Sequence, residues 1–556
     1  MIAGKAEPVP SNGNGRSVYK IRTISHLITI IMAATSEALA VSSEKSLSAP
    51  SDVQAKEKNS YGEILKSSVL VGGSSVLNIA IGIVRTKAMA MLLGPSGFGL
   101  FGLFGSIADL TQGLAGLGVN SSGVRQIAES VGRGDDQQVA RTATILRRTS
   151  IVLGCLGAAF LLFGSHLISK ITFGNTNETH AVAWLSAAVF FRLISAGQGA
   201  LIQGTRRIAD LAKMSVLGAL LGLLTSIPLV YFLREQGVVP SLISVAAMTI
   251  LTSWWYSRKI AVQKVSVTLR QIQQEVWELL KLGSAFMASG FMTMGVAYLI
   301  RIAVLRNVGF AATGLYQSAW SLGGFYVGII LQAMGADFYP RLTASINNHE
   351  ESNRLVNEQT LVGLLVAGPG VLATLALAPL VITLFYSARF GTAVGVLRWI
   401  CLGATLQVIT WPMGFIAVAK GRQTVFFLSE FAWTVVAVAL ALFCVNRYGL
   451  EGAGMAFFGS YVFHAVLTYP IASYLTDFRW SVRNRHHLLG FTATIGLVFA
   501  SFYVLPPPWA FGLCLVAAIG SAIYSLNALV NLVPLSNIPA PVRRILASGA
   551  VYSSES

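Results

Sequence analysis

The sequence predicts an all-α polytopic membrane protein, and three observations support this fold class. Hydrophobic residues make up 54% of the 556-residue chain and charged residues only 11%, whereas a soluble domain carries about 25% charged residues. From residue 61 to residue 532, apolar stretches long enough to cross a bilayer alternate with short loops. Positive charge is concentrated in every second loop. Membrane topology therefore accounts for the net charge of +17 without a nucleic-acid partner.

Fourteen apolar segments are predicted to cross the membrane, because a crossing helix needs about 20 mainly apolar residues. Almost every segment contains Gly or Pro, which membrane helices tolerate because neighbouring helices can satisfy the freed backbone groups. The predicted segments are 65–93, 98–119, 142–169, 181–203, 208–233, 237–256, 277–305, 311–335, 357–386, 393–419, 424–446, 450–475, 487–505 and 508–533.

The Lys and Arg residues indicate the orientation of these segments. Of the 40 Lys and Arg residues, 30 lie on one predicted side of the membrane. This side comprises the N-terminal region, the C-terminus and every second connection, starting with the one between segments 2 and 3. Positively charged loops stay in the cytoplasm, so both termini are predicted to be cytoplasmic and the number of segments even. Fourteen satisfies this rule, and twelve would also satisfy it if one pair were assigned wrongly. We expect a multi-pass protein of the bacterial inner (plasma) membrane.

Residues 1–60 differ from the rest and are rich in Ser, Gly, Lys and Glu. They contain one apolar patch, from Ile21 to Val41, which ends in Ala38-Leu39-Ala40 and so resembles a signal peptide. Cleavage there would invert the topology that the charges indicate. The spacing of isoleucines in the patch instead fits an interfacial helix. A disordered or interfacial extension is the preferred interpretation, and an over-long start or a genuine signal are the alternatives.

A weak internal repeat appears when the chain is shifted by 215 residues. Ile64-Leu65-Lys66 then falls on Leu279-Leu280-Lys281, and Gly99-Leu100-Phe101 falls on Gly314-Leu315-Tyr316. The shared offset predicts two pseudo-symmetric six-helix lobes around a central cavity, related by an axis along the membrane normal. The predicted organisation is an extension at 1–60, an N-lobe at 61–260, a cytoplasmic linker at 261–276, a C-lobe at 277–475, two further helices at 476–535 and a cytoplasmic tail at 536–556.

Four of the ionisable residues within the predicted segments indicate a binding cavity. Arg85 and Arg301 lie toward the periplasmic ends of segments 1 and 7, Arg192 near the centre of segment 4 and Asp109 near the centre of segment 2. A charge at such depth usually faces a partner or a wet cavity, and guanidinium groups bind phosphate well. The prediction is a cationic cavity for an anionic head group. The alternatives are snorkelling of Arg85 and Arg301 to the interface and a structural ion pair between Arg192 and Asp109.

Polar and aromatic side chains on segments 4, 7 and 8 could contact a sugar, with Gln198, Tyr316 and Trp320 as the chosen candidates. Helix–helix packing is the alternative for each of them. Asp109 is the only mid-membrane acid of the first lobe and is therefore the candidate site for a coupling ion. Gly368-Pro369-Gly370 and Trp411-Pro412 are candidate hinges or static kinks.

Motifs for enzymatic or ATP-driven chemistry are missing from the sequence. It contains no phosphate-binding P-loop, no HExxH, no nucleophile elbow and no Cys/His spacing for a metal. All four cysteines lie inside apolar segments, which is typical of buried small side chains. We therefore expect no enzyme activity, no cofactor and no metal.

Several short motifs resemble one family of transporters. Residues 93–101 (LGPSGFGLF), 116–120 (GLGVN) and 124–129 (VRQIAE) are similar in order and placement to the start of Wzx-type O-antigen translocases, in the multidrug/oligosaccharidyl-lipid/polysaccharide exporter superfamily. The resemblance covers about residues 62–475. The N-terminal extension and the last two segments depart from it, and the extra segments resemble the lipid II flippase branch.

The resemblance implies a flippase that moves an undecaprenyl-diphosphate-linked oligosaccharide, an O-antigen or related repeat unit, to the periplasmic leaflet by alternating access. Arg85, Arg192 and Arg301 would then bind the diphosphate. A polysaccharide polymerase and a chain-length regulator would be candidate protein partners. The alternatives are a cation-coupled multidrug exporter, a lipid II flippase and a membrane polysaccharide polymerase. The excess of Arg over acids in the segments argues against the exporter, and the short loops argue against the polymerase.

Overall fold

A computed structural model describes residues 52–260 and 268–532. Contacts within the chain define two units, Met1–Ser68 and Val69–Ser556. The predictions for the apolar patch at 21–41 and for the tail at 536–556 lie outside the described residues, as do residues 261–267 of the predicted linker.

The described residues form helices joined by short connections, with no β-strand among them. The α-helices are α1 Asp52–Gly116, α2 Val119–Arg133, α3 Asp136–Phe173, α4 Thr179–Gly204, α5 Ile208–Leu233, α6 Val238–Ser257, α7 Leu269–Val308, α8 Phe310–Ser345, α9 His349–Phe385, α10 Ala393–Ala419, α11 Gln423–Tyr448, α12 Leu450–Thr476, α13 Val482–Val504 and α14 Pro507–Leu532.

The long helix α1 is broken in the middle. Gly94 adopts φ 65° and ψ −173°, a conformation that only glycine takes readily, and Pro95 follows inside the helix. The break falls in the gap between predicted segments 1 and 2, so the sequence located it correctly. Helical structure begins at Asp52, before the predicted start of segment 1 at residue 65.

Helices α5 and α6 form an antiparallel hairpin around the 3₁₀ turn Arg234–Gly237. A Cβ at Gly218 would lie 3.0 Å from Thr252, and one at Gly222 would lie 3.3 Å from Val245. Higher residue numbers in α5 therefore contact lower residue numbers in α6, as expected for antiparallel helices. The missing side chains let the two helices approach closely, as is common in membranes.

Length and composition identify 11 membrane-spanning helices among the described residues, or 12 if the helix bent by 49° between Phe310–Gln332 and Asp337–Ser345 is one span. The chain is therefore a multi-pass helical membrane protein, but the predicted number of fourteen is not confirmed. In this count, Gly72–Gly116 and Ile208–Ser257 each count as one spanning helix, although they contain 45 and 50 residues. At 1.5 Å per residue, each stretch is long enough to cross the ~30 Å hydrocarbon layer about twice.

Helix α2 was not predicted as a helix. Its 15 residues lie between two left-handed glycines, Gly118 and Gly134, and carry Val119 and Ile127 on the buried side. Most of this stretch falls in the connection between predicted segments 2 and 3, which its positive charge assigned to the cytoplasm. The helix packs against α3, α4 and α7.

The helices pack mainly within two groups. In the first group α3 packs on α4, α4 on α6 and α5 on α6; in the second α10 packs on α12, α11 on α12 and α9 on α10. Contacts between the groups run from α2 and α3 to α7 and from α1 to α8. The lobe boundaries given above remain a prediction.

The predicted hinge in α9 lies in a closely packed region. The helix continues through Gly368-Pro369-Gly370. The Phe491 ring packs onto Gly368 and the Tyr326 ring onto Gly370 so closely that a Cβ at either glycine would overlap the ring. Close packing thus explains both glycines, and a hinge there stays a prediction.

Candidate functional site

Asp109 and Arg192 form an ion pair between α1 and α4. Arg192 donates from one terminal guanidinium nitrogen to Asp109 Oδ1 over 2.6 Å. The Arg192 side chain is 25% exposed and that of Asp109 is 57% exposed. Asp109 lines a cavity of about 410 Å³, which Gly290, Phe291 and Met294 of α7 also line. The pair therefore lies beside a space between the two helix groups, and the carboxylate neutralises part of the cationic charge that the sequence predicted.

Arg301 is the most deeply placed of the predicted arginines and is only 7% exposed. Its Nε donates to Gln317 Oε1 over 2.6 Å. Gln317 in turn donates from Nε2 to Ser321 Oγ over 3.2 Å. These contacts hold one edge of the guanidinium in α7 against α8. Because Arg301 also lines a cavity of about 520 Å³, its remaining donors are placed where a ligand could reach them.

Arg85 is half-buried in the first part of α1. Its Nε is buried and has no hydrogen-bond partner within the part of the chain that the structure describes. Its charge repels that of Arg192, and Asp109 attracts Arg301. Three guanidinium groups and one carboxylate thus influence one another at membrane depth, with a formal excess of two positive charges.

The larger cavity combines charge with aromatic surface. Beside Arg301 and Gln317 it is lined by Trp320, Trp433 and Tyr461. Indole and phenol rings offer apolar faces on which a sugar ring can stack, and amide groups can bond its hydroxyls. The lining is therefore chemically suited to an anionic, sugar-bearing ligand.

The predicted sugar-contacting residues occupy different environments. Trp320 lines the larger cavity. Gln198 accepts a hydrogen bond of 2.6 Å from Ser253, which ties α4 to α6. Tyr316 is completely buried, and its hydroxyl has no hydrogen-bond partner among the described residues. All three assignments stay predictions, with Trp320 the best placed for contact.

Gln317 was not among the residues chosen as candidates from the sequence. Sequence alone does not show which face of an apolar helix meets the cavity. The distance of 16 residues between Gln317 and Arg301 spans the turn between α7 and α8. Two residues near the ends of adjacent antiparallel helices can meet at this spacing, and this pattern could have identified the pair.

The helix groups touch at two places through glycine. Near the start of α8, a Cβ at Gly99 or Gly314 would lie 2.9 Å from the backbone nitrogen of the other residue. These glycines are equivalent under the 215-residue repeat. Just after the end of α1, the backbone of Gly118 packs against that of Gly283 in α7. The contact is so close that a Cβ at either glycine would overlap the other residue. Asp109 lies between Gly99 and Gly118 in the sequence, so along α1 the two contacts lie on either side of this carboxylate.

The comparison with known protein families is decisive for classification. The family described as polysaccharide biosynthesis protein matches residues 88–395. The chain belongs to this polysaccharide biosynthesis protein family. The match confirms the family that the short motifs indicated, and it covers α2–α9 together with most of the second half of α1.

Relatives of this polysaccharide biosynthesis protein extend over most of the chain. The Lipid III flippase of Escherichia coli (strain K12) is 22% identical over 414 residues, which are 72% of this chain and 95% of the relative. A Shigella flexneri protein, named provisionally as an O-antigen transporter, is 25% identical over 406 residues, covering 71% of this chain and 94% of the relative.

Solved structures share the fold of this family member. Lipid II flippase MurJ in an inward closed conformation aligns with a TM-score of 0.63 at 14% identity, covering 84% of this chain and 99% of MurJ. An inward-facing MATE family multidrug resistance transporter of the MOP superfamily aligns with a TM-score of 0.59 at 18% identity, covering 72% of this chain and 99% of the transporter. At these identities the likeness shows a transporter fold.

Proposed function

We propose that this protein is a flippase that moves a polyprenyl-diphosphate-linked oligosaccharide across the bacterial inner membrane. Membership of the polysaccharide biosynthesis protein family supports the pathway, and the names of the two relatives support the type of cargo. The geometry contributes the chemical argument, which depends on the cationic interior.

The observation that carries the proposal is the cluster of Arg85, Arg192 and Arg301, which Asp109 only partly neutralises. An uncompensated guanidinium inside a membrane protein costs free energy unless it binds a partner. A diphosphate supplies that partner, because guanidinium binds phosphate through paired, charge-assisted hydrogen bonds. The aromatic and amide lining near Arg301 would then face the first sugars.

Alternating access is the proposed mechanism of movement. Along α1, the Gly99–Gly314 and Gly118–Gly283 contacts lie on either side of Asp109. In the predicted orientation the first would close the periplasmic side and the second the cytoplasmic side. Opening one contact while keeping the other would expose the cluster to one leaflet at a time, and the lipid tail would stay in the bilayer between the lobes. A diphosphate that moves outward also moves down the membrane potential, which contributes roughly 2.3 kcal/mol per charge per 100 mV.

The experiment that tests the function is analysis of lipid-linked intermediates and surface polysaccharide in a deletion strain. Loss of one surface polymer, with its undecaprenyl-linked precursor retained on the cytoplasmic leaflet, supports the proposal and identifies the sugar. Re-expression of the intact gene is the control and should restore the polymer.

Two other outcomes would refute the proposal. Single repeat units that reach the surface but never lengthen would indicate a polymerase. Unchanged polysaccharide together with higher drug sensitivity would indicate a multidrug exporter, and the arginine cluster would then need a different explanation.

A further inference from the structure

A second titratable pair lies in the C-terminal half, apart from Asp109 and Arg192. Glu430 Oε1 on α11 and His464 Nε2 on α12 are 3.6 Å apart, and their side chains are 19% and 10% exposed. Glu430 comes seven residues after the start of α11, and His464 comes twelve residues before the end of α12. At 1.5 Å per residue these positions are about 11 Å and 18 Å inside the helix ends. Both groups therefore lie within the membrane-spanning part.

The surroundings of this pair contain polar atoms that the packing does not satisfy. Three atoms are buried without a hydrogen-bond partner in the described parts of the chain, namely His464 Nδ1, Trp433 Nε1 and Thr434 Oγ1. Buried polar groups are almost always paired, because an unpaired one loses its hydration without compensation. A pair that served only to hold α11 against α12 would leave this cluster of unpaired atoms unexplained.

The pair is separated from the larger cavity by one layer of aromatic side chains. The ring centroid of His464 lies 6.2 Å from that of Trp433 and 5.9 Å from that of Tyr461. Both aromatic residues line the cavity that contains Arg301. Tyr461 also interacts electrostatically with Glu430.

The charged groups around the larger cavity indicate which ligand could change the protonation of Glu430 and His464. Among the described residues that line the cavity, Arg301 from α7 and Tyr461 from α12 are the titratable groups, while α10 contributes the neutral Gln407. An anion bound at Arg301 brings negative charge to the far side of the aromatic layer from Glu430 and His464. A proton on the Glu430–His464 pair would offset that charge.

We propose that Glu430 and His464 form a proton-binding site that takes up a proton when the neighbouring cavity binds an anionic ligand. By thermodynamic linkage, protonation of the pair strengthens anion binding by the same factor. The proton site depends on its own geometry, and only the identity of the anion as a lipid diphosphate rests on the proposed function. It is distinct from Asp109, the coupling site that the sequence suggested.

Trp433 provides a direct optical test of the proton site, because a protonated imidazole quenches the fluorescence of an indole beside it. The experiment titrates tryptophan fluorescence of the intact purified protein between about pH 5 and pH 8, the range in which histidine changes charge. Wild type should show a step that is absent in Trp433→Phe, which removes the reporter, and in His464→Gln, which removes the titrating ring. His486→Gln is the matched control and should keep the step.

Two results would overturn the proton site: no step in wild type, or a step that persists in His464→Gln. If His464→Gln does not fold, Trp433→Phe still decides the question, because a step of undiminished amplitude without Trp433 cannot report on His464.

Proton uptake on ligand binding tests the link to the cavity. Undecaprenyl diphosphate is added to the protein in weakly buffered detergent solution containing a pH-indicator dye. Wild type should take up protons as it binds, and His464→Gln should lose this uptake. Equal uptake in both proteins, or binding to wild type without uptake, would overturn the link. Failure of undecaprenyl diphosphate to bind would count against the proposed function and the anion link together, whereas the fluorescence step judges the proton site alone.

Discussion

Arg192 and Arg301 differ in whether the charge of the guanidinium is neutralised by its hydrogen-bond partner. Asp109 holds one edge of Arg192 at 2.6 Å, and Gln317 holds one edge of Arg301 at the same distance. Gln317 is neutral, so it orients the Arg301 guanidinium without cancelling its charge. Arg301 is therefore the strongest candidate for direct contact with a diphosphate.

Replacement of Arg301 should separate the effect of charge from that of geometry. Arg301→Ala should reduce flipping about 10- to 100-fold, because a hydrogen bond to a charged group contributes about 1.5–3 kcal/mol. Arg301→Lys should restore part of the rate, since it keeps the charge but loses the paired donors. The measurement is the rate of surface polysaccharide synthesis per unit of inserted protein. Arg306→Ala on the same helix is the control, and an equal loss there would contradict the assignment.

The ion pair of Arg192 with Asp109 calls for a double-variant test. Arg192→Ala should abolish flipping while leaving membrane insertion intact. If the pair is only structural, Arg192→Ala combined with Asp109→Asn should recover function, because removing both charges leaves neither one unpaired. We expect no recovery, measured as surface polysaccharide in a deletion strain. Normal polysaccharide in Arg192→Ala would refute a binding role for this arginine.

Sequence alone could find these charged residues and suggest Asp109 as a partner for Arg192, but it indicated no partner for Arg301. Arg85, Asp109, Arg192 and Arg301 stand out because ionisable groups are rare in apolar segments, and the Arg192–Asp109 pair was one of two alternatives. Tyr316 was less predictable. An interior membrane helix is apolar on every face, so periodicity gives no indication of which side meets a cavity.

Glycines determine where individual helices can pack most closely, because they have no side chain to keep the backbones apart. Gly99 in α1 and Gly314 in α8 allow two backbones to meet, and a Cβ at Gly314 would overlap the carbonyl oxygen of Pro95. The repeat made these glycines equivalent in the sequence, but nothing in the sequence showed that they touch. The short helix α2 was missed for a related reason, since its burial comes from neighbouring helices.

Addition of one methyl group at the α1–α8 contact should shift the conformational equilibrium. Gly314→Ala should weaken closure on that side and increase labelling of the cavity residue Ser321→Cys by a membrane-impermeant maleimide, in a background without the four native cysteines. Gly328→Ala on the same helix is the matched control, because its Cβ would have nothing within 4 Å. Equal labelling in both variants would show that the glycine contact does not control access.

The contact between α3 and α7 should depend on pH. Burial raises the pKa of the Glu275 carboxyl above its ordinary 4.5, although the hydrogen bond from Gln138 and the charge of Arg141 oppose this shift. The folded state therefore binds this proton more tightly than the unfolded state, so stability rises as the pH falls through the folded-state pKa. Glu275→Gln should melt at a higher temperature than wild type near neutral pH, and the difference should shrink toward pH 4.5. Glu350→Gln, an exposed acid at the start of α9, is the control; a less stable Glu275→Gln at neutral pH would mean that attraction to Arg141 dominates.

At the scale of the whole molecule, composition and charge predicted the class and the resemblance of short motifs indicated the family, but the predicted helix count was not confirmed. Hydropathy detects apolar length, so it located the break near Gly94 and the turn at Arg234–Gly237. It cannot show how many times a 45- or 50-residue helical stretch crosses the bilayer. The contacts within the α5–α6 hairpin supply that kind of information for one stretch.

The predicted orientation can be tested with two exposed loop residues. Asn177 lies between α3 and α4, which the charges place in the periplasm, and Asn347 lies between α8 and α9, which they place in the cytoplasm. In spheroplasts, Asn177→Cys should react with an impermeant maleimide and Asn347→Cys should react only after permeabilisation. The reverse pattern would invert the proposed direction of transport.

The Gly99–Gly314 contact also has a consequence for the adhesion between the two helix groups. Helix interfaces usually gain free energy from buried side chains, at about 1.5–3 kcal/mol for each large apolar residue. Glycine brings no side chain, and the backbone amides at this point are already bonded within their own helices. The surfaces therefore come very close while adhering weakly, so that separating them there sacrifices little burial. A joint of this kind can open and close repeatedly without a large input of energy at each cycle.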